Sequence, residues 1–435
     1  MKFDASLALQ PRFNRVIPGG SHTYAKGDDQ FPEFQPAYIV RGKGSHVWDA
    51  DGNEFIEYGS GMRAVALGHA YPSVIEAAYK QMQLGANFIR PATIELEVAE
   101  QLLGLIKGAE MVKFAKNGSD ADDAALRLAR AYTGRDMVAI CGDQPFFSVS
   151  DWFIGSTPMY SGIPKATRDL TVKFKYNDIP SLEKLFADHP GQIAAVFLEP
   201  EKEKEPQNRF LHEAKRVTNQ NGAVFVLDEM ITGFRWHLNG AQGMYDVVPD
   251  LSCFGKSLGN GFSVSAVVGR REIMELGGLH HDKDRVFISS ATHGAETHGL
   301  AAAREVMNIY QREPVIQTLW ARGERLAAGV KKAAEDAKVS DQIATFGKPC
   351  CLVFGTKDQD KQPSQGFRTL FIQECMQRGV LASSLIVSYS HSEQDIDRTI
   401  EAMHGAMLVY RKALDEGLEK YLVGRPVKPV WRTRN

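Results

Sequence analysis

The sequence predicts an α/β protein built on a largely parallel sheet, joined to a smaller α+β unit. Three observations point there. Short apolar runs recur along the chain: MVKFA (111–115), MVAIC (137–141), IAAVFLEP (193–200), AVFVLDEM (223–230) and SAVVG (265–269). Each has the length and composition of a strand buried on both faces. Amphipathic segments such as AALRLARAYTG (124–134) and FLHEAKRVTNQNG (210–222) lie between several of them, and strands alternating with helices give a parallel sheet. From about residue 316 the pattern changes to a long charged helix, short strands and another helix near 393–415.

In chain order, residues 37–58 read as short strands around the turn Asp51-Gly52-Asn53, which supplies hairpin chemistry. A helix is predicted from Tyr71 to Gln83, with Pro72 at an early position where its missing N–H costs nothing. Another covers Ile94 to Ile106 and stops near Gly108. Asn221-Gly222 ends the segment that opens at Phe210, and a strand follows at once. The tail VGRPVKPVWRTRN is basic, contains prolines and reads as peripheral.

The 435 residues suffice for two or three units that each bury a core. With 51 basic and 53 acidic residues the net charge is −2, so the cationic excess of a nucleic-acid binder is missing. No apolar stretch approaches about 18 residues, which disfavours a membrane span. Asp4 and Pro11 make MKFDASLALQPRF a poor signal peptide, and a cytoplasmic location is expected. The cysteines at 141, 253, 350, 351 and 375 form no C-x-x-C pair, so they read as reduced structural thiols.

Four motifs can carry chemistry. VFVLDEMITGFRW (224–236) ends an apolar run on Asp228-Glu229, at the sheet edge where such folds place ligand groups. An acid there pairs with a cationic ring nitrogen or a metal, or is simply a solvated strand end. PDLSCFGKSLGNGFSVSAVVG (249–269) sets Lys256 among Cys, Phe, Leu and Gly. A desolvated lysine there can form a Schiff base. The GKS at 255–257 is not a nucleotide loop, because position 250 is Asp rather than the required Gly. In VKFAKNGSDADDAALRLAR (112–130) a strand leads into Asn117-Gly118-Ser119-Asp120 and a helix. Ser119 is expected to cap that helix, whose free N–H groups suit a phosphate. Asp120, Asp122 and Asp123 equally suit an unliganded helix start. SSATHGAETHGLAAAREV (289–306) offers Thr292 before an Ala-rich helix. His293 and His298 do not share a helical face, His280-His281 lacks a third ligand, and no metal site is expected.

The order and spacing of these motifs resemble the class III pyridoxal-phosphate aminotransferases, and within them the glutamate-1-semialdehyde 2,1-aminomutases. The matching stretches are RVIPGG (15–20), LGHAYPSVIEA (67–77), NGSDA (117–121), RLARAYTGRD (127–136), FLEP (197–200), LDEMITGFR (227–235), PDLSCFGKSLGNG (249–261), GRREIM (269–274) and SHSEQDIDRTIEA (390–402). The resemblance spans about residues 12 to 415. It implies the fold-type I transferase architecture: residues 1–70 packing with the small domain, 71–315 as the large cofactor-binding domain and 316–435 as the small α+β domain.

It further implies that pyridoxal 5′-phosphate is the cofactor and that Lys256 bonds it as a Schiff base. Asp228 then pairs with the pyridine nitrogen, and Met230 packs on the ring. Gly118, Ser119 and Asp120 match the phosphate turn. Thr292 matches a threonine that reaches the phosphate from the partner subunit, which implies a homodimer with shared sites. The implied activity moves an amino group between small amine and carbonyl substrates by way of pyridoxamine phosphate. Departures from the family pattern cluster at the substrate positions. GDQPFFSVSDW (142–152) is longer than usual, with Phe146 or Phe147 to supply the stacking ring, Phe146 favoured. SHTYAKGDD (21–29) offers Lys26 in place of an arginine, Met62 replaces a tryptophan beside Arg63, and EKEKEPQNR (201–209) follows Glu199-Pro200. Lys26, Met62, Arg63 and Glu199 are therefore the substrate candidates. A true aminomutase making 5-aminolevulinate and a non-catalytic homodimeric binding protein of the same fold are the alternatives. The intact Lys256 and Asp228 argue against the second.

Overall fold

The computed structural model describes residues 1–145 and 148–434. The chain divides into two compact units, Met1–Tyr71 with Gln317–Asn435 and Pro72–Ile316. In the first, β1 (Ile39–Lys43), β2 (His46–Asp49) and β3 (Glu54–Glu57) form an antiparallel meander. The turn at 51–53 is held by Asp49, whose Oδ1 accepts the N–H groups of Asp51 and Asn53 at 3.0 and 2.8 Å. Asp51 in turn accepts the Ala5 and Ser6 N–H groups at 2.6 and 2.9 Å, capping the first turn of the helix Asp4–Val16.

The second unit is built on a seven-stranded sheet. Its strands are β4 (Met111–Ala115), β5 (Met137–Cys141), β6 (Thr171–Phe174), β7 (Ile193–Leu198), β8 (Val224–Asp228), β9 (Leu251–Phe254) and β10 (Ser265–Gly269). The order is β4-β10-β9-β8-β7-β5-β6, and β10 alone runs against the rest. Alternate residues feed two separate cores, as the period of two in a strand requires. Val224 and Val226 pack with Ala121, Ala125 and Leu128 of the helix Gly118–Thr133. Phe225 and Leu227 pack with Phe210, Leu211 and Ala214 of the helix Phe210–Gln220. That helix closes on Asn221, with Gly222 left-handed at φ +68°.

The helix Val315–Asp336 carries the chain back to the first unit. There β11 (Ile343–Phe346) and β12 (Val353–Thr356) form a hairpin, and β13 (Val380–Leu381) adds in parallel to β3. The helices Gln365–Gln377 and Glu393–Glu416 complete that unit. The tail, expected to be peripheral, is tied down instead. Val427 is buried and donates its N–H to Thr369 Oγ1 at 2.8 Å, while Arg425 reaches the Asp28 carbonyl at 2.7 Å. Among the described residues no helix is long and apolar enough to cross a membrane.

Candidate active site

The parallel strands β7, β8 and β9 end together. Leu198 pairs with Leu227 and Asp228 with Cys253, so Glu199, Asp228 and the Gly255-Lys256 turn leave one carboxyl edge of the sheet. Ligands of open α/β sheets bind outside such edges. Asp228 is buried, and its Oδ1 accepts the Met230 N–H at 2.8 Å. Burial, and then the charge of Glu199, push its carboxyl up to about 6, while the Lys256 ammonium acts in the opposite sense. Lys256 and Asp228 therefore act on one another electrostatically at this edge.

Lys256 sits in a tight turn, left-handed at φ +46° after an extended Gly255. A non-glycine residue in that region costs about 1 kcal/mol, a strain typical of functional turns. The neighbouring Ser257 is buried and takes a hydrogen bond from the fully buried Arg235, Nη2 to Oγ 3.2 Å. Arg235 thus supports the turn from beneath, a role its place in the sequence does not reveal.

The turn after β4 departs from expectation in one respect. Asn117, not Ser119, caps the helix: its side chain accepts the Asp120 N–H at 3.1 Å. Ser119 lies inside the first turn, where its hydroxyl accepts the Val149 N–H at 3.1 Å. Asp120 is engaged locally, its carboxylate taking the Lys116 N–H and the Asn117 amide. Among the described residues the N–H groups of Gly118 and Ser119 have no partner, so the helix start still offers donors to an anion. Ser263 and Ser265 on the β10 side hold the turn through the Lys116 and Asn117 carbonyls, both at 2.6 Å.

Met230 explains two glycines. A Cβ on Gly255 would come within 2.6 Å of the Met230 sulfur, and one on Gly118 within 3.2 Å. The thioether is thus packed between the Gly255-Lys256 turn and the Gly118 turn. Glu199 is buried, and its backbone exchanges two hydrogen bonds with the Gln144 side chain at 2.9 and 3.1 Å. Lys202 Nζ lies 3.4 Å from Glu199 Oε1. The loop carrying Lys202 is pinned by buried Glu201, which accepts the Trp236 indole N–H at 3.0 Å and the Tyr245 hydroxyl.

Thr292 is exposed in the loop before the helix Thr297–Arg312, and its carbonyl accepts the Asn87 amide at 2.9 Å. Phe146 lies outside the described residues. Lys26 and Met62 line a cavity of about 480 Å³ within the first unit, with Phe13, Tyr38, Ile39 and Leu381. Met62 and Arg63 are left-handed at φ +65° and +68°.

The model of the family described as aminotransferase class-III matches residues 24–407. The chain belongs to the class-III aminotransferases. It is 31% identical over 429 residues to glutamate-1-semialdehyde 2,1-aminomutase of Alkaliphilus metalliredigens, covering 93% of this chain and 96% of that one. To the enzyme of the same name from Desulforamulus reducens it is 32% identical over 426 residues, covering 93% and 98%. Among solved structures, the pyridoxal-phosphate internal aldimine form of the Sphingopyxis sp. MTA144 FumI protein superimposes with a TM-score of 0.85 at 28% identity, covering 94% and 97%. The architecture is fold-type I, and as a class-III aminotransferase the chain is a pyridoxal-phosphate enzyme.

The site residues fit that cofactor. A primary amine, a buried carboxylate for a cationic ring nitrogen, and helix-start N–H groups beside a residue without a Cβ are all present in the second unit.

Proposed function

We propose that the chain moves an amino group between a small amine and a carbonyl compound, with Lys256 and Asp228 as its catalytic pair. The observation that carries this is the burial of Asp228 at the strand end with the Lys256 ammonium acting on it. Lys256 would hold the cofactor covalently through Nζ, Asp228 would accept the ring N–H, and the Gly118 and Ser119 amides would bind the phosphate. Met230 would press on the ring. When bound, the cofactor supplies an electron sink that lowers the cost of removing a proton from the substrate carbon. Once the substrate amine has displaced it from the cofactor, the freed Lys256 Nζ would take that proton and return it at a neighbouring carbon. Asp228 stays ionised throughout and fixes the ring proton. Lys26, Met62, Arg63 and Glu199 stand as substrate-side residues.

The test starts from the visible spectrum of the purified protein. A yellow band fixed by borohydride in the wild type and lost in Lys256→Ala is expected; a fixable cofactor in the variant would move the site elsewhere. Bleaching by glutamate or alanine, with recovery on a keto acid, identifies a two-substrate transaminase. The relatives named as aminomutases favour a second reading, an intramolecular transfer. It requires bleaching by 5-aminolevulinate with no response to common donors.

We also infer a homodimer in the cytoplasm. Tyr79, Met82, Leu84, Phe88 and Ile89 are exposed along one stretch, Ile89 completely. Exposed apolar patches of this kind mark interfaces. Thr292 adjoins that stretch: Asn87 bonds its carbonyl, and Thr297 bonds the carbonyls of Gly85 and Ala86. This supports a threonine presented to a second copy. The five cysteines are all buried free thiols, which suits a reducing compartment.

A further inference from the structure

The first two turns of the helix Gly118–Thr133 carry three aspartates, Asp120 in the first. Two have evident duties. Asp120 closes the capping turn, and Asp123 accepts the Trp152 indole N–H at 2.6 Å. Asp122 has none so far. It is 1% exposed, and its Oδ1 lacks a hydrogen-bond partner among the described residues. The Cys253 thiol hydrogen-bonds the carboxyl.

The sheet explains what Asp122 faces. Cys253 pairs with Asp228 across β8 and β9. Cys253, Val224 and Val226 share the face covered by this helix, and Asp228 continues that face two residues beyond Val226. Asp122 therefore approaches the strand end from the helix side. Two carboxylates in one dry space do not both ionise cheaply. Asp228 has a backbone N–H to solvate its charge. Asp122 has a thiol, a weak donor, and an oxygen with no donor. The proton belongs on Asp122.

We propose that Asp122 is a positioning residue for Asp228: a protonated second carboxyl, held by the Cys253 thiol, that leaves Asp228 the single anion facing a cationic ring nitrogen. The proposal rests on the cofactor assignment above. The charged and titratable groups acting on Asp122 agree with it. Burial first, then Asp228, raise its carboxyl well above the usual range, against the Cys253 hydrogen bond and the Lys256 charge, with Asp123 adding to the rise. The arrangement has a chemical consequence. A second anion beside Lys256 would hold its proton more firmly and make it a poorer base.

The test uses the full chain freed of cofactor, with Asp122→Asn and Asp122→Ala. Urea unfolding is followed between about pH 5 and pH 8, where a buried protonated acid releases its proton on unfolding. The wild type should release about one proton more per chain than either variant. Pyridoxal phosphate is then titrated into each by absorbance. Asn, which mimics the protonated acid, should bind within about threefold of wild type, and Ala at least about tenfold more weakly, the scale of supporting-residue losses. Equal proton release in wild type and variants would overturn the proposal, as would binding by Asn as weak as by Ala. Should Asn fail to fold, the proton count of Ala decides. A wild type that binds no pyridoxal phosphate would refute the cofactor assignment, while the proton count still reports on Asp122.

Discussion

Asp228 and Glu229 are adjacent, both buried, and differ in what surrounds them. Glu229 accepts the N–H groups of Ala241 and Gln242 at 2.9 and 2.7 Å and the Thr232 hydroxyl, so it serves the helix Gly240–Met244. Asp228 accepts one such bond, from the Met230 N–H. Its carboxyl is pushed up to about 6 from an ordinary 3.8, by burial and then by Glu199. The folded value lies above the unfolded one. The stabilising contribution is thus fully present below the unfolded value and is lost as pH rises through about 6. Without cofactor, Asp228→Asn should melt higher than wild type at about pH 8, by the order of 2 kcal/mol, and alike near pH 4. With pyridoxal phosphate the order should reverse, since a cation replaces the missing donors only for the wild type. Thermal melts with and without cofactor check both signs. A variant less stable than wild type without cofactor at about pH 8 would refute the account.

At the scale of elements, the Gly255 turn, Met230 and the Gly118 turn form one packed unit. Gly255 has φ −178°, which any residue adopts, so Ala there is opposed by space alone. Its Cβ would meet the Met230 sulfur at 2.6 Å. Gly255→Ala should lose about 1–2 kcal/mol of stability, the usual cost of overpacking, and weaken cofactor binding. Adding Met230→Ala should recover part of the loss in a double-mutant cycle. Full additivity in urea melts would show that the two do not touch.

These elements also show what the sequence makes legible. Long apolar runs announced β4, β5, β7, β8 and β10. β6 and β9 are four residues each and include Lys173 and Ser252, too short and too polar to stand out. The helix at 118 begins six residues before its apolar periodicity does, because its first turn is fixed by Asn117 and local acid partners rather than by a hydrophobic stripe. Asp228 and Lys256 stand out in the sequence because each closes or follows an apolar run, and Glu199 only through the family resemblance. Asp122 and Arg235 were not. Burial of a charge depends on the opposite strand and helix, which no local pattern encodes.

At the scale of the whole molecule, the proposed dimer rests on the exposed stretch from Tyr79 to Ile89. A monomer would leave Ile89 bare beside Phe88 and Leu84 at half exposure or more. The loop holding Thr292 is bonded to the same stretch through Asn87 and Thr297, so disturbing one disturbs the other. Ile89→Asp should leave the two cores untouched, since its side chain packs in neither. The wild type should run as a dimer by light scattering, and the variant as a monomer with the same far-ultraviolet spectrum. If Thr292 reaches a partner's phosphate site, the monomer should also bind pyridoxal phosphate more weakly, by about tenfold for one lost phosphate contact. Thr292→Ala should reproduce that loss while remaining dimeric. A monomeric variant with unchanged cofactor affinity would confine each site to one chain, and a dimeric Ile89→Asp would place the interface on another surface.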